Sequence, residues 1–500
     1  MERIVTDYLE KTVLQFGEKT AFEDPAESLT FREVRDESRS IGQTLISLGL
    51  FQKPVAIYVE KSAACILSML GVAYSGNFYT VIDTHMPAAR MQKIFSTLEP
   101  EAILCRCADR EEVEKIWPGT RTVCIEDARK TEVSEEDLKK TADRLVSTDL
   151  LYVLFTSGST GMPKGVVTAH GHVCAYLDAV TEAYSLSDKE RFLNQAPFYF
   201  VLSIVEIFTT IRNGSTLYIA PKEYFSFPLK LMQFIEEKKI TILYWVPSAM
   251  VLLANLGALK AADISSVKKV VFGGEVMPIR QLRAWQEALP GAMFVNAYGP
   301  TETTDGTTYY IVDREFEETD TLPIGVPFKN IGILVLDEEG RKVGSDGMGE
   351  LCAYGPSITY GYYKDPEKTA GVFTQNPANT AYRQTIYHTG DLVRYNAFGE
   401  LEYAGRKDFQ IKHHGQRIEL GEIEACISSI EGIEENCCLY DSEKSRIVLF
   451  YSGTIEDREL QEQAKKLLPA YMLPNRRHHL ETMPHNLNGK IDRAELKKRL

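Results

Sequence analysis

The chain lacks the marks of several specialised classes. None of its nine cysteines sits in a Cys-x-x-Cys pair, and no Cys/His spacing suits zinc. An odd number of thiols fits a reducing compartment better than a disulfide framework. The N-terminus, MERIVTDYLEKTVLQFG, is charged throughout and has no apolar core, which argues against a signal peptide. The most apolar stretch, Ile240–Leu259, is interrupted by Pro247, Ser248 and Asn255. It reads as a buried strand followed by a helix, not as a membrane span. Basic residues are the minority, 56 Lys plus Arg against 70 Asp plus Glu, for a formal charge of −14. A polyanion such as nucleic acid is therefore a poor partner, because phosphate binding needs clustered cations. A soluble, cytoplasmic protein with no membrane or nucleic-acid partner is the expectation. No internal repeat and no low-complexity tract is present.

What is present is ordinary globular composition, 44% hydrophobic and 25% charged. A length of 500 residues exceeds what one core usually supports, so at least two domains are expected. The charge is uneven. From Gly405 onward there are 16 basic and 16 acidic residues, so the whole surplus lies before that point. Residues 465–500 hold 9 basic and 3 acidic side chains. That basic end reads as a patch for an acidic partner or phosphate, or as a solvated helix end.

Apolar runs of strand length alternate with helical patterns. Val55–Val59, Ala102–Cys105, Leu150–Phe155, Leu217–Ile219, Ile242–Trp245 and Lys269–Phe272 read as buried strands, and Ala63–Tyr74 as a helix. This alternation predicts α/β layers with largely parallel sheets. Ile331–Leu336, Gly349–Tyr354 and Asp391–Tyr403 are short strands with Gly-rich turns, as in an antiparallel barrel-like piece. After Gly405 the pattern restarts as a small α+β unit.

The strongest local feature is Thr156-Ser157-Gly158-Ser159-Thr160-Gly161-Met162-Pro163-Lys164-Gly165. It follows the apolar strand Leu151–Phe155, and an amphipathic helix is expected after it. Hydroxyls, backbone N–H groups freed by glycine, and the Lys164 ammonium suit a polyphosphate. Pro163 before Lys164 excludes a Walker A loop, and the chain has no GxGxxG fingerprint.

This loop resembles the phosphate-binding motif of the adenylate-forming superfamily, which includes acyl-CoA synthetases, luciferases and peptide-synthetase adenylation domains. Further segments resemble that family's motifs in order. They are Asn296-Ala297-Tyr298-Gly299-Pro300-Thr301-Glu302-Thr303, Tyr387-His388-Thr389-Gly390-Asp391-Leu392, Gly405–Lys412, Gly415–Glu424 and Asn488-Gly489-Lys490-Ile491-Asp492-Arg493. The resemblance implies residues 1–407 as a domain that binds ATP and a carboxylate, and 408–500 as a mobile lid carrying a catalytic lysine.

It also implies roles. A carboxylate attacks the α-phosphate of Mg-ATP to give an acyl-adenylate and pyrophosphate, and a thiol then displaces AMP. Lys490 would bridge the two anions, Thr301 would bond the α-phosphate, and Glu302 would hold Mg²⁺. ATP would be held by Thr156, Ser157, Gly158, Ser159, Thr160, Gly161 and Lys164, and by Asn296, Ala297, Tyr298, Gly299, Asp391, Tyr403 and Arg406. Asp408 would be the hinge, and Gly415 would approach a pantetheine thiol. His413 and His414 read as phosphate contacts or as plain surface residues.

The closest resemblance is to stand-alone amino-acid adenylation enzymes such as D-alanine–carrier protein ligases. Those usually have Asp after the residue matching Phe200, where it binds the α-ammonium. Here Val201 stands there. The other pocket positions implied are Leu202, Val205, Tyr244, Val271, Gly273, Ala297, Asp305 and Gly306. Most are apolar, which suggests an aliphatic, aryl or atypical amino acid of modest size. Asp305 is expected either to hold a differently placed amine or hydroxyl, or to be a solvated turn residue. No Gly-Gly-x-Ser carrier site occurs, so the acceptor is expected to be a separate carrier protein or coenzyme A. A catalytically silent nucleotide-binding protein is the alternative of another class.

Overall fold

The computed structural model describes residues 2–158, 161–344, 347–486 and 491–500. The chain forms two compact units. The larger takes in residues 1–83, 100–154 and 166–407, and the smaller takes in 84–99, 155–165 and 408–500.

The larger unit is built on buried parallel strands, as the apolar runs require. One nine-stranded sheet runs in the order Val326–Pro327, Thr308–Ile311, Met293–Tyr298, Lys269–Gly273, Ile242–Trp245, Arg191–Asn194, Thr216–Ile219, Thr20–Glu23, Ser28–Thr30. Its central pairs are parallel and its edges antiparallel. A second sheet lays Arg121–Cys124, Ala102–Cys105, Pro54–Tyr58, Phe78–Val81 and Leu150–Thr156 side by side in parallel, with Lys164–Ala169 next. Helices such as Ala63–Tyr74 are buried along nearly their whole length, so they carry apolar side chains all round.

The third sheet is antiparallel, from Gly332–Leu336, Met348–Tyr354, Thr385–Tyr395, Phe373–Gln375 and Leu401–Arg406. The ladder slips between Leu392 and Val393. Such a bulge re-aims a side chain, and Asp391 lies beside it.

The smaller unit contains a hairpin of Gln410–His413 with Gln416–Glu419, the helix Leu420–Ser428, and a three-stranded sheet of Ile433–Asp441, Arg446–Gly453 and Arg476–His479. His414 and Gly415 turn the hairpin with φ of 50° and 75°. Two successive positive φ values define the two-residue turn whose twist suits a hairpin, which explains a glycine there.

One local expectation fails. The phosphate-loop motif runs into a strand, Lys164–Ala169, and only then into the helix His170–Ala183, most of which is buried. The β-branched Val166, Val167 and Thr168 favour an extended chain beside Leu150–Thr156. All nine cysteines are free. Among the described residues no helix is long and apolar enough to cross a membrane.

Two histidines open that helix in their neutral form. The ring Nδ1 of buried His170 accepts the Val5 N–H at 3.3 Å, and His172 Nδ1 accepts the Ala169 N–H at 3.1 Å. Burial pushes His170 down to about 3 and His172 to about 4. The unfolded chain binds protons below about pH 6.5 where the native state refuses them, so stability falls as pH drops through that range. At pH 5 each contributes a loss of about 2 kcal/mol. The urea midpoint should fall between pH 7 and pH 5, and His170→Gln should flatten that slope. An unchanged slope in the variant would refute the assignment.

Candidate active site

Three buried carboxylates organise the larger unit, and each is held by named donors. Asp391 lies on the strand Thr385–Tyr395 and pairs in register with Arg406. Arg406 Nη1 donates to its Oδ1 at 2.6 Å, and the Tyr298 hydroxyl donates to Oδ2. Burial and then the Asp391 charge push the Tyr298 phenol up, so it stays a donor. Tyr403 packs against the apolar cluster that includes Tyr298. Asn296 Nδ2 donates to the Pro323 carbonyl at 2.8 Å. Removing one partner of such a buried pair costs ~3–5 kcal/mol, because a lone charge is left in low dielectric.

Glu302 sits in the single turn Thr301–Thr303 and is fully buried. The Tyr362 hydroxyl donates to its Oε1 at 2.7 Å, and the Thr359 N–H donates to its carbonyl at 2.9 Å. Thr301 is buried beside it in the chain.

Asp305 is the third. It is 5% exposed, with φ of 87°, so the solvated-turn expectation fails. Tyr176 and Tyr244 both donate to its Oδ2, at 3.0 and 2.7 Å. Burial, then the Asp305 charge, raises both phenols well above their usual range, and Tyr184 follows the same pattern. Tyr244 and Val271 are register neighbours on adjacent strands, as are Gly273 and Ala297. Val201, Val205, Tyr244, Val271 and Ala297 belong to one apolar cluster. Phe200 and Leu202 are half-buried at the start of the helix Leu202–Asn213. These positions lie at or beyond the carboxyl ends of parallel strands, where open α/β sheets bind ligands.

In the smaller unit the loop residues bond to the segment that follows Asp408. Ser157 Oγ donates to the Arg417 carbonyl at 2.6 Å and accepts the Glu419 N–H at 3.2 Å. The Gly158 N–H donates to Glu422 at 3.2 Å, Lys164 lies 3.7 Å from Glu419, and Arg90 pairs with Glu422. Thr156 Oγ1 donates to the Lys164 carbonyl at 3.5 Å, and Gly161 turns at φ of 78°. A side chain on Gly158 would meet the Met162 carbonyl at 2.1 Å. His413 is buried against Tyr440 rather than lying on the surface. Ser159, Thr160 and Lys490 lie outside the described residues.

Sequence reading missed Tyr176, Tyr362 and Arg90, and gave Glu422 no role beyond its motif segment; all four touch these groups. Arg90 and Glu422 are 332 residues apart, and no local pattern links such positions. It also missed the buried pair of Asn194 with Glu206, whose carboxyl is pushed well up by burial.

The backbone around Asp305 leaves no room. A Cβ at Gly299 would lie 2.0 Å from the Asp305 carbonyl, and one at Gly306 would lie 2.5 Å from the Tyr176 ring. Overpacking of this kind costs about 1–3 kcal/mol. Gly299→Ala should therefore lower the melting temperature by several degrees, read by circular dichroism. Wild-type melting would show that the segment relaxes freely.

Comparison with known proteins identifies the family and the fold. The model of the family described as AMP-binding enzyme matches residues 9–363. Surfactin synthase subunit 1 of Bacillus subtilis is 31% identical over 99% of this chain, which spans only 14% of that protein. The L-proline–[L-prolyl-carrier protein] ligase of Streptomyces coelicolor is 32% identical over 97% of this chain and 94% of its own length. Among solved structures, holo-PA1221, an NRPS protein with adenylation and PCP domains, superposes with a TM-score of 0.84 at 24% identity, covering 100% of this chain and 84% of that one. The fold is thus that of the adenylation domains, and the chain belongs to the AMP-binding enzyme family.

Proposed function

We propose that the protein activates a carboxylic acid with ATP, releasing pyrophosphate, and passes the acyl group from AMP to the phosphopantetheine thiol of a separate carrier protein in the cytoplasm. The observation that carries this reading is the set of buried Thr301, Glu302, Asp391 and Tyr298 with the part-buried Arg406, in a chain of this family. A silent protein would have no use for such costly groups.

Asp391, oriented by Arg406 and Tyr298, accepts the two ribose hydroxyls of ATP, while Tyr298 and Asn296 take the adenine. Ser157, Gly158, Ser159, Thr160, Gly161 and Lys164 hold the phosphate chain. Glu302 offers a hard oxygen for Mg²⁺, which would neutralise phosphate charge when bound; a buried carboxylate oriented by the Tyr362 phenol fits that ion. Lys490 brings the positive charge that joins two anions. Residues 1–407 act as the nucleotide and acid domain, and 408–500 as the lid turning at Asp408, with Gly415 admitting the thiol arm.

Val201 cannot pair with an α-ammonium, and an unpaired buried cation is expensive. Asp305 is a buried carboxylate that accepts from Tyr244, itself one of the expected pocket positions. We read the acid as a small or medium apolar, aryl or atypical amino acid, with any amine placed away from the α-carbon and held by Asp305.

Carboxylate-dependent ATP–pyrophosphate exchange across an acid panel tests the reaction, and no exchange with any acid would overturn it. Thioester formed on coenzyme A without a carrier would reassign the acceptor. Asp305→Ala should lower kcat/KM for amino substrates roughly 100-fold while sparing acids without an amine. Equal losses on both classes would remove Asp305 from substrate recognition.

A further inference from the structure

We propose that Cys107, Cys124 and Asp127 bind one divalent cation of the zinc class. The sequence holds no zinc spacing, because these ligands are assembled by strand pairing. Ala102–Cys105 and Arg121–Cys124 run parallel with Cys105 opposite Cys124. Both chains therefore end at the same edge. Cys107 opens the short turn Cys107–Asp109 after the first strand, and Asp127 lies in the single helical turn Ile125–Ala128 after the second.

The donor atoms of the three residues all lie within 4.8 Å of one another, and Cys107 Sγ is 4.0 Å from Asp127 Oδ2. Zinc bonds of about 2.3 Å to sulfur and about 2.0–2.2 Å to oxygen place tetrahedral ligands roughly 3.4–3.8 Å apart, so only small side-chain shifts are needed. Cys107 and Asp127 are exposed and Cys124 is buried, which leaves an entry path from solvent. Two thiols select a borderline-soft ion over Mg²⁺.

Charges of both signs face the cluster: the exposed Arg110 reaches the Cys124 thiol, and Arg106 lies near Glu126. Glu126 accepts the Cys107 N–H at 2.9 Å and adds a further carboxylate. A bound dication takes the two sulfurs as thiolates, and their protons pass to solvent.

A second cluster of similar chemistry, Glu350, Cys352 and His388, carries no such site. Lys407 Nζ already stands 3.2 Å from Glu350, and the Gly390 N–H donates to the same carboxylate.

The reduced, metal-free full chain should be titrated with Co²⁺ alone. One equivalent should produce thiolate-to-cobalt charge-transfer absorption that Zn²⁺ abolishes. Cys107→Ser should lose that absorption and the equivalent with it, and Asp127→Asn should weaken binding without removing the sulfur band. Cys107 is exposed, so the serine variant is expected to fold, checked by circular dichroism. Zn²⁺ should also protect Cys107 from alkylation, the other eight thiols being buried or nearly so. Absence of the band in the wild type, or its persistence in Cys107→Ser, would overturn the site. A chain that only loses two hydrogens on exposure to peroxide, with no cobalt band, would make the pair a disulfide couple instead.

Discussion

A buried carboxylate has to be met by donors, and that constraint shapes this protein more than any other. Asp391, Glu302, Asp305 and Glu422 are almost wholly removed from water. Each draws on a residue from a distant part of the chain: Tyr298 and Arg406, Tyr362, Tyr176 and Tyr244, and Arg90. The partners stand on elements whose positions are set by apolar packing. Hydrophobic burial therefore fixes the scaffold, and the carboxylates decide which polar side chains must be present at its strand ends.

The parallel strands were readable because both faces are covered, which turns them into plain apolar runs. Ile242–Trp245 and Lys269–Gly273 appear in the structure almost as their sequences imply. The motif residues were readable too, since glycines, hydroxyls and charges cluster in short segments. The strand Lys164–Ala169 was hidden because its six residues sit between a loop and a helix, where pairing with a neighbour outweighs the local signal.

Side-chain partners were the least legible part. Asp305 reads equally as an anchor for a substrate amine or hydroxyl and as a turn residue before glycine, yet two phenols from segments 129 and 61 residues away converge on it. Tyrosines are abundant in this chain, 25 in all, so no single one announces itself. The same holds for Cys107 and Cys124, whose proximity depends on strand register rather than on spacing. In both cases the information is tertiary.

The two phenols on Asp305 have a consequence for how such a pocket changes over generations. If the aspartate is lost first, two hydroxyls are stranded in an apolar cluster. If either tyrosine is lost first, the carboxylate is left under-coordinated. Gly299 and Gly306 meanwhile deny the backbone any slack. The three side chains are then inherited as one unit. A lineage altering this position has to cross a shallow valley of less stable intermediates, and only a chain with stability to spare would survive the crossing.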